Sequence, residues 1–235
     1  IVAAKRVDVI DGYAKSLAID KFDLVIDWGF LYFITKPLFF GIDYFFKLLG
    51  NYGLAIIAIT ICIRLVFFPL ANFSFRSMAK MKALTPEMVR LKELHKNDKM
   101  KLQQEMMALY KKEKVNPLGG CFPILLQMPV FLALYWTLME SVELRQAPFI
   151  GWITDLSAMD PYFVLPILMG ISMYIQFKLN PAPVDKMQAK IFGLLPIVFT
   201  FILGGFAAGL VIYWTTNNVL SMAQQYIIQR KIMKS

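Results

Sequence analysis

The sequence predicts an all-α membrane protein with five transmembrane helices, a cytoplasmic helical hairpin and one amphipathic helix lying in the membrane interface. The first observation behind this prediction is composition. Of the 235 residues, 58% are hydrophobic, and the mean hydropathy is +0.56, as is typical of integral membrane proteins. The second is a set of apolar runs near the length of about 20 residues that a transmembrane helix needs. They are 54–71, 121–139, 162–179 and 209–228, with a shorter fifth run at 191–203.

The third observation is the distribution of charge between those runs. Segment 76–118 carries eleven Lys and Arg residues, whereas the 140–161 connection has one arginine against four acidic residues. By the positive-inside rule, 76–118, 180–190 and the C-terminus face the cytoplasm. Counting 191–203 as a span is what makes this distribution consistent. The net charge of +9 therefore indicates orientation and affinity for anionic lipid, and contact of the tail with ribosomal RNA is a second interpretation.

The first 49 residues lack this positive bias and are predicted to lie outside the cytoplasm. Residues 1–28 alternate charged and short apolar stretches and are interpreted as the remnant of an extracytoplasmic region. Residues 29–49 are predicted to form an interfacial amphipathic helix, with a sixth span as the alternative. Its polar stripe carries three charged residues among four: Lys36, Phe40, Asp43 and Lys47. Residues 50–75 are then the first core transmembrane helix.

The basic segment 76–118 has the pattern of a cytoplasmic helical hairpin. Apolar residues recur at spacings of three and four, Thr85 and Pro86 are predicted to restart a helix as its N-cap and first residue, and Asp98 is predicted to cap a second helix. Methionines dominate the apolar stripe, which favours either the hairpin's own seam or an adaptable surface for substrate and partner segments. The candidate contact residues are Met78, Met81, Met88 and Met106.

Residues 119–235 are predicted to form four further transmembrane helices and a basic cytoplasmic tail. These apolar runs carry several polar side chains, which commonly join helices by hydrogen bonds. So many of them, together with one arginine, predict a bundle that encloses a wetted groove. The candidate groove residues of this part are Gln127, Gln176, Tyr213, Trp214 and Asn218.

Arg64 is the most informative residue, because it lies inside an apolar run while none of the long runs contains Asp, Glu or His. An arginine at the centre of a bilayer costs about 2.5–3.5 kcal/mol on insertion scales and normally has a partner or lines a water-filled cavity. The sequence therefore predicts a counter-charge from outside the chain, with Thr60 one turn away on the same face. The alternative is a structural arginine that binds carbonyl groups freed by Pro69 and neighbouring hydroxyls.

The chemistry of other functional classes is missing from the sequence. An intramembrane enzyme would need an acid or histidine to activate Cys62, Cys121 or a serine, or a zinc-binding HExxH motif. A secondary transporter would need a titratable relay or a sodium site at the membrane midplane, and inverted repeats. We therefore expect no enzymatic activity, no cofactor, no metal and no small-molecule substrate.

Long, non-repetitive strings in the sequence resemble the bacterial YidC/Oxa/Alb family of membrane protein insertases from about residue 20 to the C-terminus. The strings are DKFDLVIDWG (20–29), SMAKM (77–81), QEMMALYK (104–111), KVNPLGGCFP (114–123), QMP (127–129) and SVELRQAPF (141–149). The resemblance implies a five-helix core, a hydrophilic groove open to cytoplasm and lipid, and a periplasmic amphipathic helix. It matches Arg64 to a groove arginine, Thr60 to a groove threonine, and Tyr213 and Trp214 to aromatic groove residues, with Gln176 as a looser match.

The resemblance also implies a function and partners. Members insert nascent membrane proteins into the bacterial inner membrane, alone or as folding and assembly chaperones beside the Sec translocon. A ribosome contact through the basic cytoplasmic regions is implied as well. In Gram-negative members a further span and a large periplasmic domain precede this core, so 1–28 is expected to be the end of that domain. The N-terminal region is then periplasmic and the C-terminus cytoplasmic.

Overall fold

The computed structural model describes residues 31–95, 98–116, 122–141, 143–180 and 186–234. Within these ranges the chain forms nine helices and no strand, which confirms the all-α prediction. The region 1–28, interpreted as a periplasmic remnant, lies outside the described residues. The helices are α1 (Tyr32–Leu49), α2 (Tyr52–Val66), α3 (Phe68–Ala83), α4 (Thr85–Leu94), α5 (Lys99–Lys112), α6 (Phe122–Glu140), α7 (Val164–Leu179), α8 (Lys186–Gly204) and α9 (Ala208–Lys234).

Helix α1 corresponds to the predicted amphipathic segment and packs against α2 and α6. It ends at Gly50, whose left-handed backbone (φ 67°) is a conformation that glycine adopts without steric cost. Its buried face includes Asp43, which was predicted to belong to an exposed polar stripe. The Asp43 carboxylate is instead paired with Lys47 at 2.7 Å, and this pairing offsets the cost of its burial. The outer face of α1 carries exposed Tyr44 and Leu48.

The region predicted as one helix over 50–75 forms two helices that meet at a bend of 69° around Phe67. Pro69 lies in the first turn of α3, where it has no N–H to donate and its ring would collide with the carbonyl of residue 65 in a continuous helix. The break changes the position of Arg64, which lies in the last turn of α2 and not in the middle of a longer helix.

Taken singly, no helix in the described ranges is both long enough and apolar enough to cross a bilayer, whereas α2 and α3 pass that test as a bent pair.

Helices α4 and α5 pack against each other in the predicted hairpin. Asp98 caps α5 as predicted, since its carboxylate accepts a hydrogen bond from the Lys101 N–H at 3.0 Å. Thr85 does not cap α4. It is the first helical residue, and its hydroxyl donates to the Met81 carbonyl at 3.4 Å. The new helix begins here because Pro86 is favoured in the first turn of a helix.

Helix α9 is the centre of the bundle and packs against α2, α3, α6 and α7. Its first turn is tightly held, because the Ala208 and Gly209 N–H groups donate to the Ala158 and Leu156 carbonyls at 2.7 and 2.9 Å. A Cβ on Gly209 would lie 3.1 Å from Ile56 Cδ1, so glycine permits this close approach of α9 to α2. Two apolar clusters flank the helix, one toward α2 and α6 and the other toward α7 and α8.

The connection 143–163, predicted only as an acidic loop, is an ordered cap on one end of the bundle. The buried Asp160 carboxylate accepts hydrogen bonds from Trp152 Nε1 at 2.9 Å, the Tyr162 N–H at 3.0 Å and the Leu165 N–H at 2.7 Å. Because Leu165 lies in the first turn of α7, Asp160 satisfies one of its free donors. Asp160 therefore stabilises the fold of this connection in addition to contributing to its negative charge.

Candidate substrate groove

The candidate groove is built around the polar side chains of α9. They occur at spacings of three, four and seven residues, so they form rows along the helix. One row faces α2, α3 and α6, and the other faces α7. The polar residues are Tyr213, Asn217, Asn218, Ser221, Gln224, Gln225 and Gln229.

Arg64 reaches α9 from the end of α2. Its Nε donates to Asn217 Oδ1 at 2.9 Å, and its Nη2 donates to the Asn217 backbone carbonyl at 3.1 Å. The same carbonyl accepts the Ser221 hydroxyl at 2.7 Å. We expected the partner of Arg64 to come from outside the chain, and the structure supplies one within it. That partner is a neutral amide, and no carboxylate in the described ranges is paired with Arg64, so the positive charge is not neutralised.

The location of Arg64 at a helix end also explains how the fold tolerates it. The C-terminal turn of a helix carries unsatisfied carbonyl groups equivalent to about half a negative charge, which favours a cation there. The side chain is half-buried, and its two bonds leave part of the guanidinium's fork of five N–H donors for another acceptor. This is the geometry of a positive group that is held in place and still able to bind an anion.

Gln127 and Tyr213 meet across α6 and α9. Gln127 Nε2 donates to the Tyr213 hydroxyl oxygen at 2.6 Å, and Tyr213 is 1% exposed. Tyr213 therefore lies in the packed interior and joins two helices. Trp214, the next residue, has its ring edge-on to Phe131 with centroids 5.0 Å apart, and its Nε1 is buried without a hydrogen-bond partner.

The second polar row connects α9 to α7. Asn218 Nδ2 donates to Ser172 Oγ at 3.0 Å, and Gln176 Nε2 donates to Gln225 Oε1 at 2.6 Å. Gln225 continues the row through its Nε2, which donates to Asn180 Oδ1 at 3.0 Å. The side-chain oxygen of Gln176, Oε1, is buried without a hydrogen-bond partner. The predicted residues Gln176 and Asn218 thus belong to two sets of hydrogen bonds between α9 and α7, both separate from the bonds of Arg64.

Thr60 lies one turn before Arg64 as predicted, but the structure does not bring it into either row. It is 1% exposed, and its hydroxyl donates to the Ile56 carbonyl of its own helix at 2.6 Å. A threonine that bonds back to residue i−4 satisfies itself within the helix. Its contribution here is to the packing of α2.

The methionines predicted to contact a partner separate into two groups. Met78 is 5% exposed and packs with Phe75 against Ile228 of α9, while Met88 is 6% exposed. The Tyr110 hydroxyl lies 3.9 Å from Met88 Sδ, and burial raises the pKa of that hydroxyl. The contact of Met88 with Tyr110 joins α4 to α5 and fits the interpretation of a hairpin seam, whereas Met78 packs on α9 and not on the other hairpin helix. Met81 and Met106 are half-buried, and the exposed apolar residues of the hairpin are instead Val89, Leu94, Met100 and Met107.

Comparison with known proteins identifies the family. The family model described as 60Kd inner membrane protein matches residues 44–235. The chain belongs to this family. A second model, described as the YidC periplasmic domain, matches residues 2–40 of the same chain. The sequence-based recognition of a YidC-type core is therefore confirmed.

Relatives of the 60Kd inner membrane protein family share high identity with nearly the whole chain. Proteins named membrane protein insertase YidC from Pelagibacter ubique and Marinobacter nauticus are 66% and 56% identical over 99% and 98% of the chain. The matches cover 45% and 40% of those two proteins. A crystal structure described as an active YidC insertase with its first transmembrane domain resolved has a TM-score of 0.67 and 25% identity, over 94% of this chain and 51% of that one.

Several residues of the candidate groove were not singled out from the sequence. Asn217 was recognised only as one of a run of polar residues, and Gln224, Gln225 and Gln229 were not considered. Gln224 Nε2 donates to Asn72 Oδ1 at 2.8 Å, and Gln229 Nε2 donates to the Leu179 carbonyl at 2.7 Å. A helical plot of α9 carried past residue 221 would have revealed these rows.

The described residues contain no group of three His, Cys, Asp or Glu side chains that could hold a metal ion.

Proposed function

We propose that this chain is the core of a membrane protein insertase. It moves hydrophobic segments and short hydrophilic tails of nascent proteins into the bilayer through the polar groove around α9. The observation that carries the proposal is the bonding of Arg64 to the neutral Asn217, which positions the guanidinium and leaves its charge available. At 4 Å and an effective dielectric constant of 20, attraction to a carboxylate is of order 4 kcal/mol. This is enough to offset the first step of drawing an acidic tail in, and small enough to release it.

Completion of the transfer needs no covalent chemistry. The membrane potential contributes about 2.3 kcal/mol per charge per 100 mV, and the hydrophobic segment gains free energy by entering lipid. The buried and unpaired Gln176 Oε1 and Trp214 Nε1 support a groove that takes up water or polar groups of the substrate, because leaving such atoms unbonded costs about 1–3 kcal/mol each. The exposed apolar faces of α7 and α8, with Ile171 and Phe201 among their residues, suit contact with lipid and with the leaving segment.

The topology that follows has five membrane spans. The bent pair α2–α3 and the helices α6, α7, α8 and α9 form them, the 143–163 connection lies in the periplasm, and the hairpin and C-terminus lie in the cytoplasm. The charge asymmetry of the sequence and membership of an inner membrane protein family support this arrangement. Helix α1 then lies on the periplasmic side, in the membrane interface.

The partners we propose are nascent membrane proteins, the Sec translocon and the ribosome. The exposed Leu94, Met100 and Met107 of the hairpin are an apolar surface that suits transient contact with an unfolded segment. The same surface supports a second candidate function, that of a folding and assembly chaperone for membrane proteins acting with the Sec translocon. The basic hairpin and tail suit the ribosome by charge.

The groove-charge mechanism is tested by replacing Arg64 in bacterial cells depleted of their own insertase. We expect Arg64→Ala to abolish insertion of single-span substrates with acidic N-terminal tails, measured by protease protection of the tail. Arg64→Lys is expected to retain much of the activity, because the positive charge, and not the bidentate shape, is required. Arg145→Ala, which removes an exposed arginine of the 143–163 connection, is the matched control. Undiminished insertion by Arg64→Ala would refute the mechanism.

A further inference from the structure

A cavity of about 780 Å³ lies outside the Arg64 groove, where α3, the last turns of α9 and the end of α5 come together. It is large enough to hold a small organic group. Its lining combines basic, polar and apolar residues: Phe68, Asn72, Phe73, Arg76, Ser77, Lys80, Lys114, Asn116, Ile227, Ile228 and Lys231.

The cavity gathers four cations and no carboxylate. Arg76 and Lys80 come from α3, Lys114 follows α5, and Lys231 is on α9. All four residues are exposed. Water and salt screen the repulsion between exposed charges, and four cations around one cavity together produce a positive potential that attracts anions. The cluster therefore has the electrostatic character of an anion site.

Lys114 occupies a backbone conformation that is unusual for its side chain. It has a φ of 51°, the left-handed region that costs an L-residue about 1 kcal/mol or more relative to glycine. The Val115 N–H donates to the Tyr110 carbonyl at 3.0 Å, and the Lys114 N–H donates to the Lys111 carbonyl at 3.3 Å. This is the Schellman arrangement, in which glycine is the usual residue at the left-handed position. A lysine at this strained position is a candidate for a functional side chain.

A tertiary hydrogen bond holds this turn against the cavity. Ser77 Oγ on α3 donates to the Asn116 carbonyl at 3.0 Å, two residues after Lys114. The turn is thus tied to the helix that carries Arg76 and Lys80. Cations from three separate parts of the chain are brought together by the fold, and not by their proximity in sequence.

The apolar part of the lining indicates which kind of anion fits. Along α3, Phe73 (65% exposed) is followed within one turn by Arg76. Along α9, Ile227 (56% exposed) is followed one turn later by Lys231. Both helices therefore change from exposed apolar to basic residues beside the same cavity. This change is expected at the boundary between hydrocarbon and headgroup, where basic pockets between helices bind anionic lipid heads.

We propose that this cavity binds the phosphate of an anionic phospholipid headgroup, of the phosphatidylglycerol type, with the acyl chains against Phe68, Phe73 and Ile227. Inorganic phosphate would use the cations and not the apolar wall, and RNA would need a basic surface that extends beyond one cavity. The site is independent of Arg64, so its test and the insertion test can fail separately.

The test measures lipid binding to the purified full chain in neutral detergent by native mass spectrometry. The ligands are dioctanoyl phosphatidylglycerol, dioctanoyl phosphatidylcholine, inorganic phosphate and a short single-stranded RNA. We expect phosphatidylglycerol to bind at least tenfold more tightly than the other three. The variant Arg76→Gln/Lys80→Gln/Lys114→Gln is expected to lose at least tenfold in this affinity. The control Arg90→Gln/Lys101→Gln/Lys112→Gln, which removes three exposed cations outside the cavity, is expected to stay within twofold of the parent chain.

Lys114→Gly is the second variant, because glycine suits the left-handed turn and preserves the fold. We expect it to weaken phosphatidylglycerol binding severalfold with an unchanged or higher melting temperature. The proposal is overturned if the cavity and control triples lose the same affinity, if Lys114→Gly binds as the parent does, or if phosphate or RNA binds as tightly as the anionic lipid.

Discussion

Arg64 and Asn217 form the charged centre of the candidate groove. An amide can hold a guanidinium in place without neutralising it, whereas a carboxylate at the same position would form an ion pair with an attraction of order 4 kcal/mol. The observed bonds, 2.9 and 3.1 Å long, combine the side chain and backbone of one residue. In the proposed mechanism, the neutrality of residue 217 is the property that leaves Arg64 able to attract an acidic tail.

Asn217→Asp tests this property directly. We expect the variant to lose insertion of substrates with acidic tails, because Arg64 then has an internal counter-ion, while its melting temperature is unchanged or higher. Asn217→Leu is the matched comparison. It removes the side-chain acceptor without adding charge and is expected to lower the melting temperature by a few degrees. Insertion by Asn217→Asp at the parental level would contradict the proposed role of the free charge.

The sequence indicated Arg64 as the central residue but did not indicate its partner. It also showed that the apolar runs contain no acidic residue. Which of the polar residues near 215–221 faces Arg64 depends on the direction in which α2 ends, and that direction follows from the break at Phe67. Thr60 shows the converse case. Thr60 lies one turn from Arg64, as predicted, but its hydroxyl donates to the Ile56 carbonyl of its own helix. Spacing in the sequence shows which residues share a helix face, and it does not show where a hydroxyl donates its hydrogen bond.

Among the elements, the connection 143–163 acts as a clamp on the start of α2. Asn51 Nδ2 donates to the Phe149 carbonyl at 2.9 Å, and the Phe149 ring lies directly against Gly53, where a Cβ would overlap it. Glycine at this position allows the ring to cover the first turn of the helix. The clamp fixes α2, and through it the position of Arg64.

Gly53→Ala is therefore expected to destabilise the chain. Overpacking of this kind costs about 1–3 kcal/mol, which lowers the melting temperature of a chain of this size by several degrees. Gly193→Ala on α8 is the matched control, because nothing lies within 4 Å of the Cβ it would add and alanine favours a helix over glycine. Equal melting temperatures for the two variants, measured in the same detergent, would show that Phe149 moves aside without cost.

For the molecule as a whole, the bundle is organised around α9, whose contacts extend to α2, α3, α6 and α7. One end is covered by the 143–163 connection, and the other carries the basic hairpin. The two ends therefore differ in charge as well as in structure. This polarity is the basis of the orientation proposed above.

Labelling of single cysteines tests that orientation. In a Cys62→Ser/Cys121→Ser background, Met159→Cys at an exposed position of the 143–163 connection is expected to react with a membrane-impermeant maleimide in intact spheroplasts. Lys112→Cys in the hairpin is expected to react only after the membrane is opened. Labelling of both sites in intact spheroplasts, or of the hairpin site alone, would contradict the topology.

The sequence by itself determined the class of protein, the number and order of the apolar segments, the hairpin with its Asp98 cap, and Arg64 as an isolated charge. These follow from local composition, periodicity and spacing, which act within one or two helical turns. The tertiary structure alone decided that Asn217 is the partner of Arg64, that Met78 and Met88 are buried, and that four cations surround one cavity. Each of these depends on the angle and rotation at which two distant helices meet, and packing across the whole bundle sets that geometry.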